Sequence, residues 1–225
     1  MAEYLARSAV YAGWTVVSGL AFGTDSAAHK ACIEAGGKTI AVLGGGLARI
    51  FPQEHIPLAK RIVETGGAVV TEFPMEFSPN RKSFPMRNRI ISGMSSGTIV
   101  IEAGTTSGSL ITARFALEQG RQVFAVPGQA DNPQARGCNK LIKDGAKLIE
   151  NFEDFLEEFD FLPGFERKTS DIQKTPSTEN QTEKQSPDFS ELDNDMKKII
   201  DVLKKGETTA DKIVDLTAIP AGKLL

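Results

Sequence analysis

Between Arg81 and Arg114 the chain reads RKSFPMRNRIISGMSSGTIVIEAGTTSGSLITAR, four basic side chains followed at once by a run rich in glycine and hydroxyl residues. Arg81, Lys82, Arg87 and Arg89 have no carboxylate among them in sequence, so the local field is positive and draws phosphate. Asn88, between the two arginines, can both donate and accept a hydrogen bond. The second half supplies a different anion chemistry. GTIVIEAG has the β-branched, apolar character of a short buried strand, and GTTSGS leads from it directly into LITARFALEQG, whose Leu110, Ile111, Ala113 and Leu117 repeat as a helix does. A helix that starts there offers unpaired backbone N–H groups and the positive end of its dipole. Ser107, Gly108 and Ser109 let an anion approach those groups and add hydroxyl donors. The same composition also builds ordinary N-caps and tight turns, and Arg81 and Lys82 alone read as a solvated loop.

The elements that must hold these residues alternate along the chain. A helix over residues 1–12 is followed by strands at TVVSG, KTIAVLGGG, AVVTEFP, TIVIEAG and QVFAVPG, with KLI at 147–149 as the last. Helices fall between them at DSAAHKACIEAG, PLAKRIVETG, FPMRNRIISGM, SLITARFALEQG and NPQARGCNKLIKDG. Continuous apolar strands separated by amphipathic helices specify an α/β class domain with a Rossmann-like, doubly wound, mostly parallel sheet. In such a sheet the ligand lies beyond the carboxyl ends of the strands. This chain places its glycines there, in SGLAFGTD (Gly19, Gly23, with Asp25 as a cap for the next helix), in LGGG (Gly44, Gly46) and in the run through Ser109. GGGLAR matches only the first two glycines of a dinucleotide fingerprint, with Arg49 in the third position, and no Walker A lysine motif occurs. No cofactor is expected.

Charge supports a nucleic-acid partner for the front of the chain only. Of 225 residues, 1–149 carry 16 Lys and Arg against 11 Asp and Glu, whereas 150–225 carry 10 against 18, an asymmetry hidden in the formal net charge of −3. Two cysteines, Cys32 and Cys138, are too few and too far apart for a disulfide framework or a zinc knuckle. No apolar run approaches the ~20 residues that span a bilayer, and the first residues lack a signal-peptide pattern, so the cytoplasm is the expected compartment. Residues 161–190 are polar and proline-punctuated, as a flexible linker is. Residues 191–225 place Leu192, Met196, Ile199, Ile200 and Leu203 on one helical face and then a second short helix, the opening of a partial winged-helix or helix-turn-helix module.

In order and spacing, SGLAFGTDSAAH, IFPQEHIPLAKRI, TEFP, FPMRNRIISGMS, VIEAGTTSGSLITARFALEQGRQVFAVPG and NPQARGCNKLIKDGAKLI closely resemble the DNA-processing protein A (DprA/Smf) family over residues 12–150. The resemblance implies an extended Rossmann domain over 1–160 that binds single-stranded DNA, forms a homodimer and loads RecA recombinase onto incoming DNA in natural transformation. It further implies that Arg87, Asn88 and Arg89 form a basic wall joined by Lys82. Gly19, Gly23 and Asp25 match the family's first turn, and Ser107, Gly108, Ser109 and Thr112 its phosphate-facing helix start. Gly137 and Asn139 match a further element in which Arg136 replaces a serine. Members usually begin with another strand and a Gly-Ser-Arg loop; here Met1 falls in the following helix, so truncation at both ends, with unpaired strand edges, is expected.

The rival class is a nucleotide-binding or nucleoside-monophosphate-hydrolysing Rossmann protein. Such an enzyme needs a carboxylate where GTTSGSLIT has Thr112. Glu72 and Glu102 are the available substitutes, and neither His29 nor His55 has a nucleophile spaced for a triad, so no enzyme and no metal site are expected. With DNA as ligand, contacts should be mostly to phosphate, with strong salt dependence and with Phe84 a candidate for stacking.

Overall fold

The computed structural model describes residues 1–159 and the helical pair Leu216 and Thr217. The linker and partial winged-helix expectations for 161–190 and 191–225 lie outside the described residues, that pair apart.

Among residues 1–159, six strands and seven α-helices alternate as the apolar pattern requires. They are α1 (Ala2–Tyr11), β1 (Val16–Ser18), α2 (Thr24–Glu34), β2 (Thr39–Val42), α3 (Ile56–Glu64), β3 (Ala68–Val70), α4 (Ser83–Gly93), β4 (Gly97–Val100), α5 (Gly108–Glu118), β5 (Gln122–Ala125), α6 (Arg136–Lys143), β6 (Lys147–Leu148) and α7 (Glu153–Leu156). Every pairing is parallel, as helical crossovers dictate. The chain is thus a Rossmann-like α/β protein. Its sheet, however, comes in two three-stranded runs, β1-β2-β3 and β4-β5-β6. Val16, Val17 and Ser18 of β1 and Gly97 to Glu102 of β4 and its extension all line one cavity of about 720 Å³. Consecutive residues of a strand meet the same space only when its edge, rather than one face, is turned to it.

Each run has its own core. Leu20, Ala41, Leu43, Leu58 and Ile62 close around the first. Around the second, Phe124 and Ile149 meet Phe152, Phe155 and Phe159 of the last helical turns. Trp14, just before β1, packs edge-on against Phe155 at 5.1 Å between ring centres. Helices α1 and α2 approach closely because Ala6, Ala28, Ala31 and Cys32 are small. Gly36, at φ 74°, then turns the chain so that Gly37 N–H returns to the Cys32 carbonyl at 2.9 Å, the closure that a left-handed C′ residue makes possible. Among the described residues, no helix is long and apolar enough to cross a membrane.

Candidate nucleic-acid interface

Helix α4 starts where Asn80 and Ser83 cap each other. Asn80 Oδ1 accepts from the backbone N–H of Lys82 and Ser83 at 3.0 and 3.1 Å, and Ser83 Oγ accepts from Asn80 N–H at 2.9 Å. This local lock fixes the phase of the helix and therefore the direction of every side chain in FPMRNR. Residues 87 and 89, two positions apart, point about 200° apart around a helix with ~100° per residue. They accordingly do different things.

Arg87 is buried, at 5% exposure. Its Nη1 donates to the Gly19 carbonyl at 2.6 Å and to the Val42 carbonyl, at the ends of β1 and β2, and its Nε donates to Asn88 Oδ1 at 3.0 Å. Burial lowers the guanidinium pKa from its ordinary value, and the Asp25 carboxylate opposes that fall. The basic wall expected at Arg87 is thus an internal brace, its cation spent on carbonyls. Gly19 has to be glycine because a Cβ would stand 2.5 Å from the guanidinium carbon. Arg89 is on the outer side, paired with Glu72, and Lys82 is exposed at the N-cap of α4.

Asp25 does not cap α2 as its position predicts. Its Oδ2 reaches back to accept from Gly19 N–H and Ala21 N–H at 3.0 and 3.1 Å, closing the turn after β1, while Gly23 at φ 79° occupies the N-cap. Leu20 in the same turn is fully buried in the left-handed region, at φ 59°. His55, itself buried, donates from Nδ1 to the Leu20 carbonyl at 2.7 Å.

At the end of β4 the chain turns into α5 with Ser107 at the N-cap, where its side chain makes no capping bond. A Cβ at Gly108 would meet nothing within 4 Å. Helix geometry leaves the Gly108 and Ser109 amides without an acceptor inside the helix, while Leu110 N–H donates back to the Ser107 carbonyl at 3.1 Å. Gly108, Ser109 and Thr112 line the mouth of the cavity with Asn88, Asp25, Glu102 and the Arg87 side chain. Asn88 Nδ2 donates to the Gly108 carbonyl at 3.4 Å, and farther along Gln119 ties α5 to α4 through Ser92 Oγ and the Arg89 carbonyl. The mouth therefore has one open, positively polarised element, the α5 N-terminus, and an amide side chain beside it.

Of the remaining expected residues, Gly44, Gly46 and Gly137 are buried against neighbouring chain and Asn139 is half-buried. Gly44 lies against the Phe84 ring, where a Cβ would come within 2.7 Å, and Gly46 against the Pro74 and Met75 carbonyls. These glycines serve chain packing, since the loop after β3 fills the space that a ligand would need. Gly137 N–H donates to the Ala103 carbonyl at 2.7 Å. Asn139 clamps Gly128 from both sides of its amide, so α6 is pinned to the two strand ends. Sequence reasoning did not single out Phe22, a large aromatic inside the glycine-rich turn, which the structure leaves exposed beside His55.

Histidine 29 is wholly buried; its Nδ1 meets Thr39 Oγ1 at 2.8 Å, and that hydroxyl donates to the Val16 carbonyl. The hydroxyl proton being spent, Nδ1 carries the hydrogen. Burial lowers its pKa to about 4. Among the described residues no group of three or more His, Cys, Asp or Glu could hold a metal ion.

A family model described as DNA recombination-mediator protein A matches residues 1–160. Protein Smf of Escherichia coli (strain K12) is 53% identical over 149 residues, 66% of this chain and 40% of that protein. Among solved structures, the X-ray structure of DNA processing protein A from Streptococcus pneumoniae superposes with a TM-score of 0.65 at 42% identity, covering 71% of this chain and 56% of that one. A Helicobacter pylori DNA processing protein A, described for its unique single-stranded DNA binding mode, gives a TM-score of 0.63 at 29% identity, covering 70% and 71%. The chain spans about half the length of the curated relatives it matches.

Proposed function

The chain belongs to the DNA recombination-mediator protein A family, and we propose that it binds single-stranded DNA, with a backbone phosphate on the N-terminal amides of α5. The observation that carries this reading is the convergence of Gly108, Ser109 and Thr112 with Asn88 at one cavity mouth. A helix start presents N–H donors and about half a positive charge to an anion. Arg89 and Lys82, exposed on α4, supply field rather than a socket. The Helicobacter pylori relative, described for its single-stranded DNA binding mode, supports the choice of single-stranded DNA. Arg87 acts by holding the β1 turn and Asn88 in place.

Ser109→Glu tests this directly. A carboxylate in the first turn stabilises the helix, so lost binding cannot be ascribed to unfolding. Fluorescence anisotropy with labelled oligo-dT and a matching duplex across a salt series should show salt-sensitive, single-strand-selective binding by the wild type, and none by the variant. Equal affinity of both proteins would remove the α5 site.

Within that reading the finer role is delivery of the strand to RecA recombinase by a homodimer, in natural transformation and DNA recombination. Sedimentation velocity of the chain alone and with RecA tests it; a monomer that leaves RecA sedimentation unchanged would refute it. The hydrolase alternative gains little from the site: Asp25 Oδ2 accepts from two backbone amides, Glu72 is paired with Arg89, and Thr112 stands where a carboxylate would act, which leaves Glu102 as the one substitute carboxylate in the cavity lining.

A further inference from the structure

Phe22 is the most exposed large hydrophobic side chain among residues 1–159, at 63%. It is not on a loose loop tip. The turn that carries it is fixed by the Asp25 carboxylate on Gly19 and Ala21 N–H and by Ser26 Oγ, which donates to the Gly23 carbonyl at 3.0 Å. Leu20, buried at φ 59°, sits in a backbone region that costs a branched side chain energy. The Phe22 ring packs, tilted, against the His55 imidazole, 4.7 Å between centres and 59° between planes, and His55 is held by its bond to the Leu20 carbonyl. A rigid turn therefore buries an aliphatic residue and holds an aromatic one out in water, propped from behind.

Its place decides what it meets. Ala21 and Thr24, on either side of Phe22 and Gly23, line the same cavity as Asn88, Gly108 and Ser109. Consecutive Cα atoms are about 3.8 Å apart, so Phe22 is carried at the edge of the cavity whose lining also includes the α5 N-terminus. Ring faces stack on unpaired bases without regard to sequence, and a duplex, its bases already stacked, cannot offer one.

From these contacts we infer that Phe22, backed by His55, is a stacking platform for an unpaired nucleobase and a source of the preference for single strands over duplex. The inference rests on the single-stranded DNA reading above. An apolar protein partner would want a contiguous patch of several hundred Å², whereas Gly23, Thr24 and Ala21 put small side chains around this ring.

Two probes of equal length separate the possibilities: labelled oligo-dT and the corresponding abasic sugar-phosphate oligomer. The wild type should bind oligo-dT more tightly than the abasic strand. Phe22→Ala should lose about tenfold or more on oligo-dT, lose nothing on the abasic strand and keep the same salt slope; Phe22→Trp should restore binding, with indole fluorescence quenched by oligo-dT alone. Equal losses on both probes, or no loss on oligo-dT by a variant whose wild type binds it, would overturn the inference and leave the phosphate site standing. Unchanged DNA binding with altered self-association would overturn it in favour of a contact between copies. Failure of the wild type to bind either probe would overturn the inference together with the reading beneath it.

Discussion

Replacing Arg87 by alanine should destabilise the fold far more than replacing Arg89, although the two differ by only two positions. At 5% exposure, Arg87 donates to two main-chain carbonyls that end neighbouring strands. Hydrogen bonds from a charged donor contribute about 1.5–3 kcal/mol each. The two carbonyl bonds together give a loss of about 3–6 kcal/mol, with the Asp25 carboxylate also left without its nearby cation. For a domain of this size each kcal/mol lowers Tm by about 2–4 °C, so Arg87→Ala should melt about 10 °C or more below the wild type. Arg89→Ala loses a surface pair with Glu72 whose partners are 49% and 26% exposed, worth less than about 1 kcal/mol, and should melt close to the wild type. Circular dichroism melts of the two variants at pH 7 decide the matter. If Arg87→Ala melts within about 2 °C of the wild type, the brace carries no load and the arginine is free for a ligand after all.

Other outcomes follow from single contacts. Because His29 is neutral when folded, with its pKa lowered to about 4 from an ordinary 6.5, the unfolded chain binds an extra proton between those values. Its contribution to stability is full above pH 6.5 and falls as the pH drops, about 1.4 kcal/mol per pH unit and about 3 kcal/mol in all. Urea melts from pH 7 to 4 should show a shallower decline for His29→Gln, and parallel declines would contradict this. Gly137→Ala puts a Cβ 2.7 Å from the Ala103 and Gly104 carbonyls, whereas at Gly108 nothing lies within 4 Å. The first should cost about 1–3 kcal/mol by overpacking and the second should be neutral or gain about 0.5–1 kcal/mol, read from denaturant midpoints; equal midpoints would refute the close contact at α6. Cys32 and Cys138 are both buried, and burial pushes the Cys32 thiol up to about 11. An aromatic disulfide reagent should therefore label neither in the native protein and both in denaturant; a fast native phase would contradict their burial.

The elements were legible because each strand is a short apolar run and five of the helices, α1, α2, α3, α5 and α6, run into a left-handed glycine. The two half-sheets answer to the unpaired strand edges expected from the sequence, since β1 and β4 do not pair and both turn an edge to the cavity. Asp25 shows a limit. Its position before an alanine-rich helix fits a cap, and only the turn geometry reveals that Gly23 takes the cap while the carboxylate closes the turn. Gly44 and Gly46 looked like ligand-approach glycines, but a glycine that admits a phosphate and one that admits a neighbouring carbonyl are the same letter.

The two arginines of MRNR carry the sharper lesson. Read as a patch, they sum to two positive charges. Read as a helix, positions i and i+2 face opposite ways, so one must turn inward if the other faces water. The Asn80 and Ser83 cap decides which: it sets the phase of α4 so that Phe84, Arg87 and Asn88 face the strand ends, and Arg89 falls outside. An inward arginine then needs acceptors, and the carbonyls of Gly19 and Val42 meet it because β1 and β2 end there without further pairing partners. The residue that looks most like a DNA contact in the sequence is thereby an internal brace. It holds the Gly19 carbonyl before the Phe22 turn on one side and Asn88 on the other, and in the function proposed above the α5 amides are left to receive the phosphate.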